Sequence, residues 1–246
     1  MAYSVTFCDA AENGVGMEQI GNKRNTGFTK EELLGAKAEF EAKGCICELV
    51  ELHQDFDEVE EAYILIIRDG VKAFGVDKDD LINEQKTLEY DTKALMRGIV
   101  KNKRARHNIC FSDYSQEPDY PAGKGRIINF KDVKFLNQIR KNLSSFIGAN
   151  ATNLQAEGNH YYDMKKCYIG YHGDAERRLV IAIRLGESHP LLFQWHHRGK
   201  KVGKKIRLNL DHGDMYIMSD KAVGTDWKRP SIYTLRHAAG CEKYLK

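Results

Sequence analysis

The sequence predicts an α+β protein, and three observations carry that prediction. Val133 to Phe146 sets apolar residues at 133, 135, 136, 139, 143 and 146, mostly in steps of three or four, the period of an amphipathic helix. Tyr63-Ile-Leu-Ile-Ile67 is short and continuously apolar, as a strand buried on both faces would be. The stretch from Cys167 to His172 is aromatic and β-branched, a composition that favours strand.

Taken in order, the first hundred residues show a regular alternation of elements. Thr29-Lys-Glu-Glu32 is a capping box, in which two side chains satisfy two orphan amides at a helix start. That helix is expected to run to about Lys43 and to stop at Gly44. Ile46 to Leu52 reads as a strand, Tyr63 to Ile67 as a stronger one, and Asp77 to Leu88 as a helix. A strand-helix-strand-strand-helix order predicts a small α/β unit over residues 1–100, packed on a main domain of residues 101–246. No motif in this first part carries recognisable chemistry.

Composition bounds the function. The chain has 246 residues, enough for a sizeable core, and a net charge of only +3, so affinity for nucleic acid cannot be argued from the total. No apolar run approaches the roughly 20 residues a membrane span needs. The first residues lack the basic start and apolar stretch of a signal peptide, which predicts a cytoplasmic or nuclear protein. Six cysteines at irregular spacing read as reduced thiols.

Charge distribution says more than the total. Lys101, Lys103, Arg104 and Arg106 form one basic run. Arg198, Lys200, Lys201, Lys204, Lys205 and Arg207 form another around two glycines, as a hairpin with a basic tip would. Both patterns fit phosphate contact and fit solvated loops equally well. Tyr114, Tyr120, His196 and His197 supply flat groups of the kind that stack on unpaired bases.

The most specific chemistry sits at His172 and Asp174. Side chains two apart on a strand share a face, so one imidazole and one carboxylate converge. They are two members of the 2-His-1-carboxylate set that holds non-haem Fe(II) with open positions.

The surrounding residues resemble the AlkB family of 2-oxoglutarate-dependent Fe(II) dioxygenases. Asn159 and Tyr161 form its N-x-Y pair, and Ile169, Gly170, His172, Asp174 and Glu176 its I-G-x-H-x-D-x-E, one residue further on than usual, which a turn at Met164 to Lys166 absorbs. Arg106 to Asp113 is similar to the family's P-R-x-x-x-x-Y-G-D segment, with Ala105 in place of proline. Val180 to Gly186, Leu192 to Gln194 and Asn209 to Ser219 look like its following strands. The likeness covers roughly residues 104 to 240. It implies a double-stranded β-helix (jelly-roll) dioxygenase core with the N-terminal α/β part as an extension, and Fe(II), 2-oxoglutarate and O2 as cofactor and cosubstrates. It places Asn159 and Tyr161 at the cosubstrate, and Arg106 and Glu176 at the substrate.

Two registers remain for the second metal histidine. In one, His237 of Leu235-Arg-His-Ala-Ala-Gly240 is the ligand, and residues 220–232 form an inserted loop. The chain then ends too early for the family's downstream arginines, and Arg184, on one face with Val180 and Ala182, becomes the candidate for the distal carboxylate of 2-oxoglutarate. In the other, Arg229 and Arg236 bind 2-oxoglutarate and the second histidine is missing. His212 stands where the family has a histidine that is not a ligand.

The resemblance implies oxidation of a substrate C–H, most often on an N-alkylated nucleic-acid base flipped out of its stack, with demethylation or hydroxylation as the result. Two alternatives stay open. One keeps the chemistry on a protein side chain or small metabolite, and the other is a non-catalytic nucleic-acid-binding module on a decayed barrel.

Overall fold

Strand β1 (Ala2–Cys8) decides the architecture. It pairs antiparallel on one side with β10 (Gln155–Tyr161) and on the other with β12 (Val180–Gly186), so the start of the chain lies inside the sheet that its second half builds. The computed structural model describes residues 1–14, 16–56 and 58–245.

After β1 come a short hairpin, β2 (Ala10–Glu12) and β3 (Gln19–Gly21), then helix α1 (Lys30–Ala42). Strands β4 (Ile46–Glu51) and β5 (Tyr63–Arg68), helix α2 (Lys78–Lys86) and a second hairpin, β6 (Lys93–Met96) and β7 (Ile99–Asn102), complete the first hundred residues. Strands β8 (His107–Ser112) and β9 (Ile127–Asn129) precede helix α3 (Lys134–Ile147) and β10. Then follow β11 (Tyr168–His172), β12, β13 (His189–His197), β14 (Lys200–Leu210), β15 (Met215–Met218), the short helix α4 (Asp220–Val223) and β16 (Thr234–Gly240).

Two sheets result. The larger runs β4-β5-β15-β12-β1-β10-β8-β9 and the smaller β11-β16-β13-β14. The period-2 alternation of the large sheet divides its side chains between two cores. Val5, Phe7, Leu65, Ile67, Ile181 and Ile183 meet Leu33 and Phe40 of α1 and Leu136, Ile139 and Leu143 of α3 on one face. Ile64, Ile66, Val180, Ala182 and Tyr216 meet Leu191, Phe193, Trp195, Leu235 and Ala239 of the small sheet on the other. The order is helices, large sheet, small sheet, and the described residues make an α+β structure built mostly of strands.

The elements expected from the sequence are found within a residue or two. Thr29 caps α1 through the full reciprocal box, its Oγ1 accepting from Glu32 N at 3.2 Å while Glu32 accepts from Thr29 N at 2.9 Å. The segment Asn209 to Ser219, expected as one strand, is instead the end of β14, a turn over 211–214 and then β15. Gly213, at φ +90°, makes that turn, with its amide donating to Arg184 O.

The expected division at residue 100 does not divide the sheet. β1, β4 and β5 all belong to it, β5 pairing with β15 from the far end of the chain. A strand as apolar as β5 needs covering on both faces, and residues of the small sheet supply the second cover while β15 supplies its edge partner. Residues 101–246 expressed alone therefore lack three strands of the sheet, including a central one. They should show no cooperative thermal unfolding, whereas the full chain should; a sharp transition for the fragment would restore the two-unit view.

Candidate metal centre

His172, Asp174 and His237 come together at one end of the small sheet, their ligand atoms all within 4.8 Å of one another. Strands β11 and β16 are antiparallel neighbours in which His172 and His237 are direct cross-strand partners. A register irregularity between Ile169 and His172 turns the last residues of β11 inward. The two imidazoles lie 4.4 Å apart between ring centroids at 60°. Asp174 Oδ1 is 3.3 Å from His172 Nε2 and 3.7 Å from His237 Nε2.

The backbone here is held tightly. Gly173 sits against the carbonyl of Gly224 with no room for a Cβ, and Asp174 N donates to Val223 O at 3.0 Å. Residues 220–232, expected as an inserted loop, thus form α4 and the turns that brace the His-x-Asp segment.

Protonation suits metal binding. His172 Nδ1 donates to Gly170 O at 2.8 Å, which turns Nε2 toward the cluster. Burial, then the neighbouring His172, lowers the His237 pKa and keeps that ring neutral. Burial alone would raise the Asp174 carboxyl, but Arg177, His237 and His172 together hold it well below the usual carboxylate range. His237 Nδ1 is buried without a hydrogen-bond partner. Two imidazoles and one carboxylate, with a buried orphan ring nitrogen among them, form a donor set that can hold a divalent metal ion.

A charged network supports the carboxylate. Arg177, which no sequence motif singles out, is 5% exposed and bonds Glu157 Oε2 at 2.6 Å and Glu176 Oε1 at 2.7 Å, with Asp174 Oδ2 at 3.7 Å. Glu157 accepts from Asn159 Nδ2 at 3.2 Å, and Asn159 Oδ1 accepts from Arg106 Nε at 2.6 Å. Asn159, Arg106 and Glu176 are therefore brought into one chain of contacts behind the trio, and Glu176 is engaged by Arg177. Pairing with Arg177 is one of two readings the sequence allows for Glu176; the contact of Arg177 with Glu157 is invisible in the sequence because β10 is far away in the chain.

Arg184 behaves differently. It points between the sheets from β12, 3% exposed, beside Tyr216 and His189. Its Nη1 meets His189 Nε2, its Nη2 lies 3.5 Å from the Tyr216 hydroxyl, and its Nε has no partner. Burial, then Arg184 itself, keeps His189 neutral. Among the described residues no carboxylate pairs with this guanidinium. Tyr161 packs on His189 at 4.9 Å between ring centroids. Burial raises the Tyr216 pKa, with Arg184, Tyr161 and Asp174 all close enough to act on it. Tyr161 and Arg184 thus meet through His189 in the space between the sheets.

Of the two sequence registers, the geometry brings His237 into the trio. Arg229 is exposed, and Arg236, next to His237 on the strand, faces the other side of the small sheet against Trp227. His212 lies apart, accepting from Gly186 N and facing Asp79. No helix among the described residues is long and apolar enough to cross a membrane.

No protein-family profile matches the chain. An uncharacterized protein of Acanthamoeba polyphaga mimivirus is 45% identical to it over 248 residues, covering 99% of this chain and 97% of the viral one. The chain belongs to the family of this mimivirus protein. Within the family, the network around Arg177 is open to a direct test. Arg177→Met leaves Glu157 and Asp174 buried beside one another without a counter-charge, which should cost about 3–5 kcal/mol. A melting temperature unchanged by the substitution would show that the network is not structural.

Proposed function

We propose that the protein is an Fe(II)/2-oxoglutarate-dependent dioxygenase of AlkB type, its two facing sheets forming the jelly-roll core. The observation that carries the reading is a pairing: a His-Asp-His donor set opens on the same inter-sheet space as a buried arginine that has no anionic partner. Burying a guanidinium without a counter-charge is costly. A ligand bearing a carboxylate at one end and metal-chelating oxygens at the other relieves that cost. 2-Oxoglutarate is such a ligand.

His172, Asp174 and His237 would hold Fe(II), leaving positions for the cosubstrate and for oxygen. The bound iron and 2-oxoglutarate supply the oxidant for a substrate C–H. The chain's own groups position the reactants. Arg184 would hold the distal carboxylate, beside the Tyr216 hydroxyl at 3.5 Å and with Tyr161 packed on the adjoining His189. Arg177 keeps Asp174 ionised and correctly aimed. Phe193, 6.0 Å from the His237 ring, closes the apolar side and excludes water. A hydroxylated N-methyl group would leave as formaldehyde, so an N-alkylated base is the substrate class we favour.

Succinate release from 2-oxoglutarate with Fe(II) and ascorbate tests the reading. Release should rise with N-methylated single-stranded oligonucleotides and vanish in His237→Ala; release that persists in that variant would exclude the trio as the metal site. Arg184→Gln removes the charged half of the carboxylate contact. It should raise the KM for 2-oxoglutarate by roughly 10- to 100-fold, the size of a missing charge-assisted hydrogen bond. An unchanged KM would mean that another group holds the cosubstrate.

A further inference from the structure

The outer face of the small sheet carries an arrangement that the metal chemistry does not use. Arg236, facing away from His237, lies over the indole of Trp227 at 5.3 Å and donates to the Trp227 carbonyl at 3.2 Å. Lys228 stands over the same indole at 5.4 Å. Beside them Lys201 covers the Tyr171 ring at 4.8 Å, and Tyr171 lies 6.1 Å from the His196 ring. Two aromatic faces thus alternate with three cations.

Hydrogen-bonding capacity at this surface is left over. Arg236 Nε, Trp227 Nε1 and the Tyr171 hydroxyl are each buried with no partner in the structure. Two of the three can only donate. The nearest acidic group to act on Tyr171 is Glu242, and Arg207 already holds it at 2.6 Å. Among the described residues none of Lys201, Lys228 or Arg236 has a carboxylate within salt-bridge distance. The cations continue along the β13–β14 hairpin, whose tip at Arg198 and Gly199 takes positive φ at both residues, the tight turn that projects both strands outward. Lys200, Lys204 and Lys205 on β14 are exposed.

Such a surface suits a ligand that repeats acceptors and flat groups at short intervals. A single strand of nucleic acid does so, offering phosphates to cations and bases to aromatic rings. An acidic peptide offers the charge without the rings. The surface also reaches the candidate metal centre: Trp227 packs directly against Gly173, the residue between His172 and Asp174.

We propose that the outer face of β11, β16 and β13, with the basic β13–β14 hairpin, is a track for one strand of nucleic acid. Its phosphates lie along Lys205, Lys201 and Arg236, and a base rests against Trp227 as the strand approaches the metal loop. The track rests on the dioxygenase reading for its purpose, since it names where the substrate lies outside the pocket.

Fluorescence anisotropy with a labelled unmodified single-stranded oligonucleotide, on full-length protein without iron or 2-oxoglutarate, tests binding apart from turnover. Lys201→Glu combined with Lys205→Glu should weaken binding at least about tenfold. Removing one cation from a phosphate should flatten the dependence of log Kd on log salt by about 0.7. Arg236→Gln should weaken binding as well, and so should Tyr171→Phe, which takes away only the hydroxyl and carries little risk to folding. Lys37→Glu on α1, a change of charge at a remote position, should leave binding unchanged. Equal weakening by Lys37→Glu, absence of binding, or equally tight binding of a polyglutamate peptide would each overturn the track. Tight, track-dependent binding together with succinate release indifferent to oligonucleotides would support the track and sink base oxidation.

Discussion

One buried cation sets the terms for the candidate site. Arg177 faces three carboxylates, Asp174, Glu157 and Glu176, and it is the group that lets the candidate metal-binding carboxylate stay ionised inside a protein. Taking Asp174 out of water favours its neutral form, and the guanidinium reverses that preference. Asn159 and Arg106 extend the same network to β10 and β8, so the orientation of the site is tied to strands of the large sheet although its ligands sit on the small one. The two sheets are joined by charge as well as by their shared apolar core.

A contrast between two arginines organises the space between the sheets. Arg177 is saturated with acid partners, and Arg184 has only neutral ones. Both are buried, so the difference does not come from exposure. On the function proposed above, it marks the first as part of the fold and the second as the group that the cosubstrate would complete. The aromatic residues around Arg184, Tyr161 and Tyr216, fit that distinction, because they keep water away without competing for its charge.

Much of this was legible in the sequence, and the reasons are local. Helices α1 and α3 announced themselves through a capping box and a helical period, both of which need only neighbouring residues. The His172 and Asp174 pair was readable because strand alternation fixes which side chains converge. The inward face of Arg184 followed from the same alternation, with Val180 and Ala182 as its companions. What escaped were long-range facts. That β1 enters the centre of the large sheet depends on residues about 150 positions later. Arg177 could be read as a partner of its neighbour Glu176, but its contact with Glu157 appeared only when β10 brought that residue to it. The choice between His237 as the third member of the trio and Arg229 with Arg236 as anion contacts turned on whether residues 220–232 are an insertion, which no local pattern decides.

The seat of β1 between β10 and β12 bears on how the protein is made. The strand leaves the ribosome long before either of its neighbours exists, with Val5 and Phe7 destined for a core that has not been synthesised. Growing chains gain about 5–20 residues each second. The first strand therefore spends several seconds or more as an unpaired apolar segment. A cell that makes much of this protein has to shelter that segment until the middle of the chain arrives.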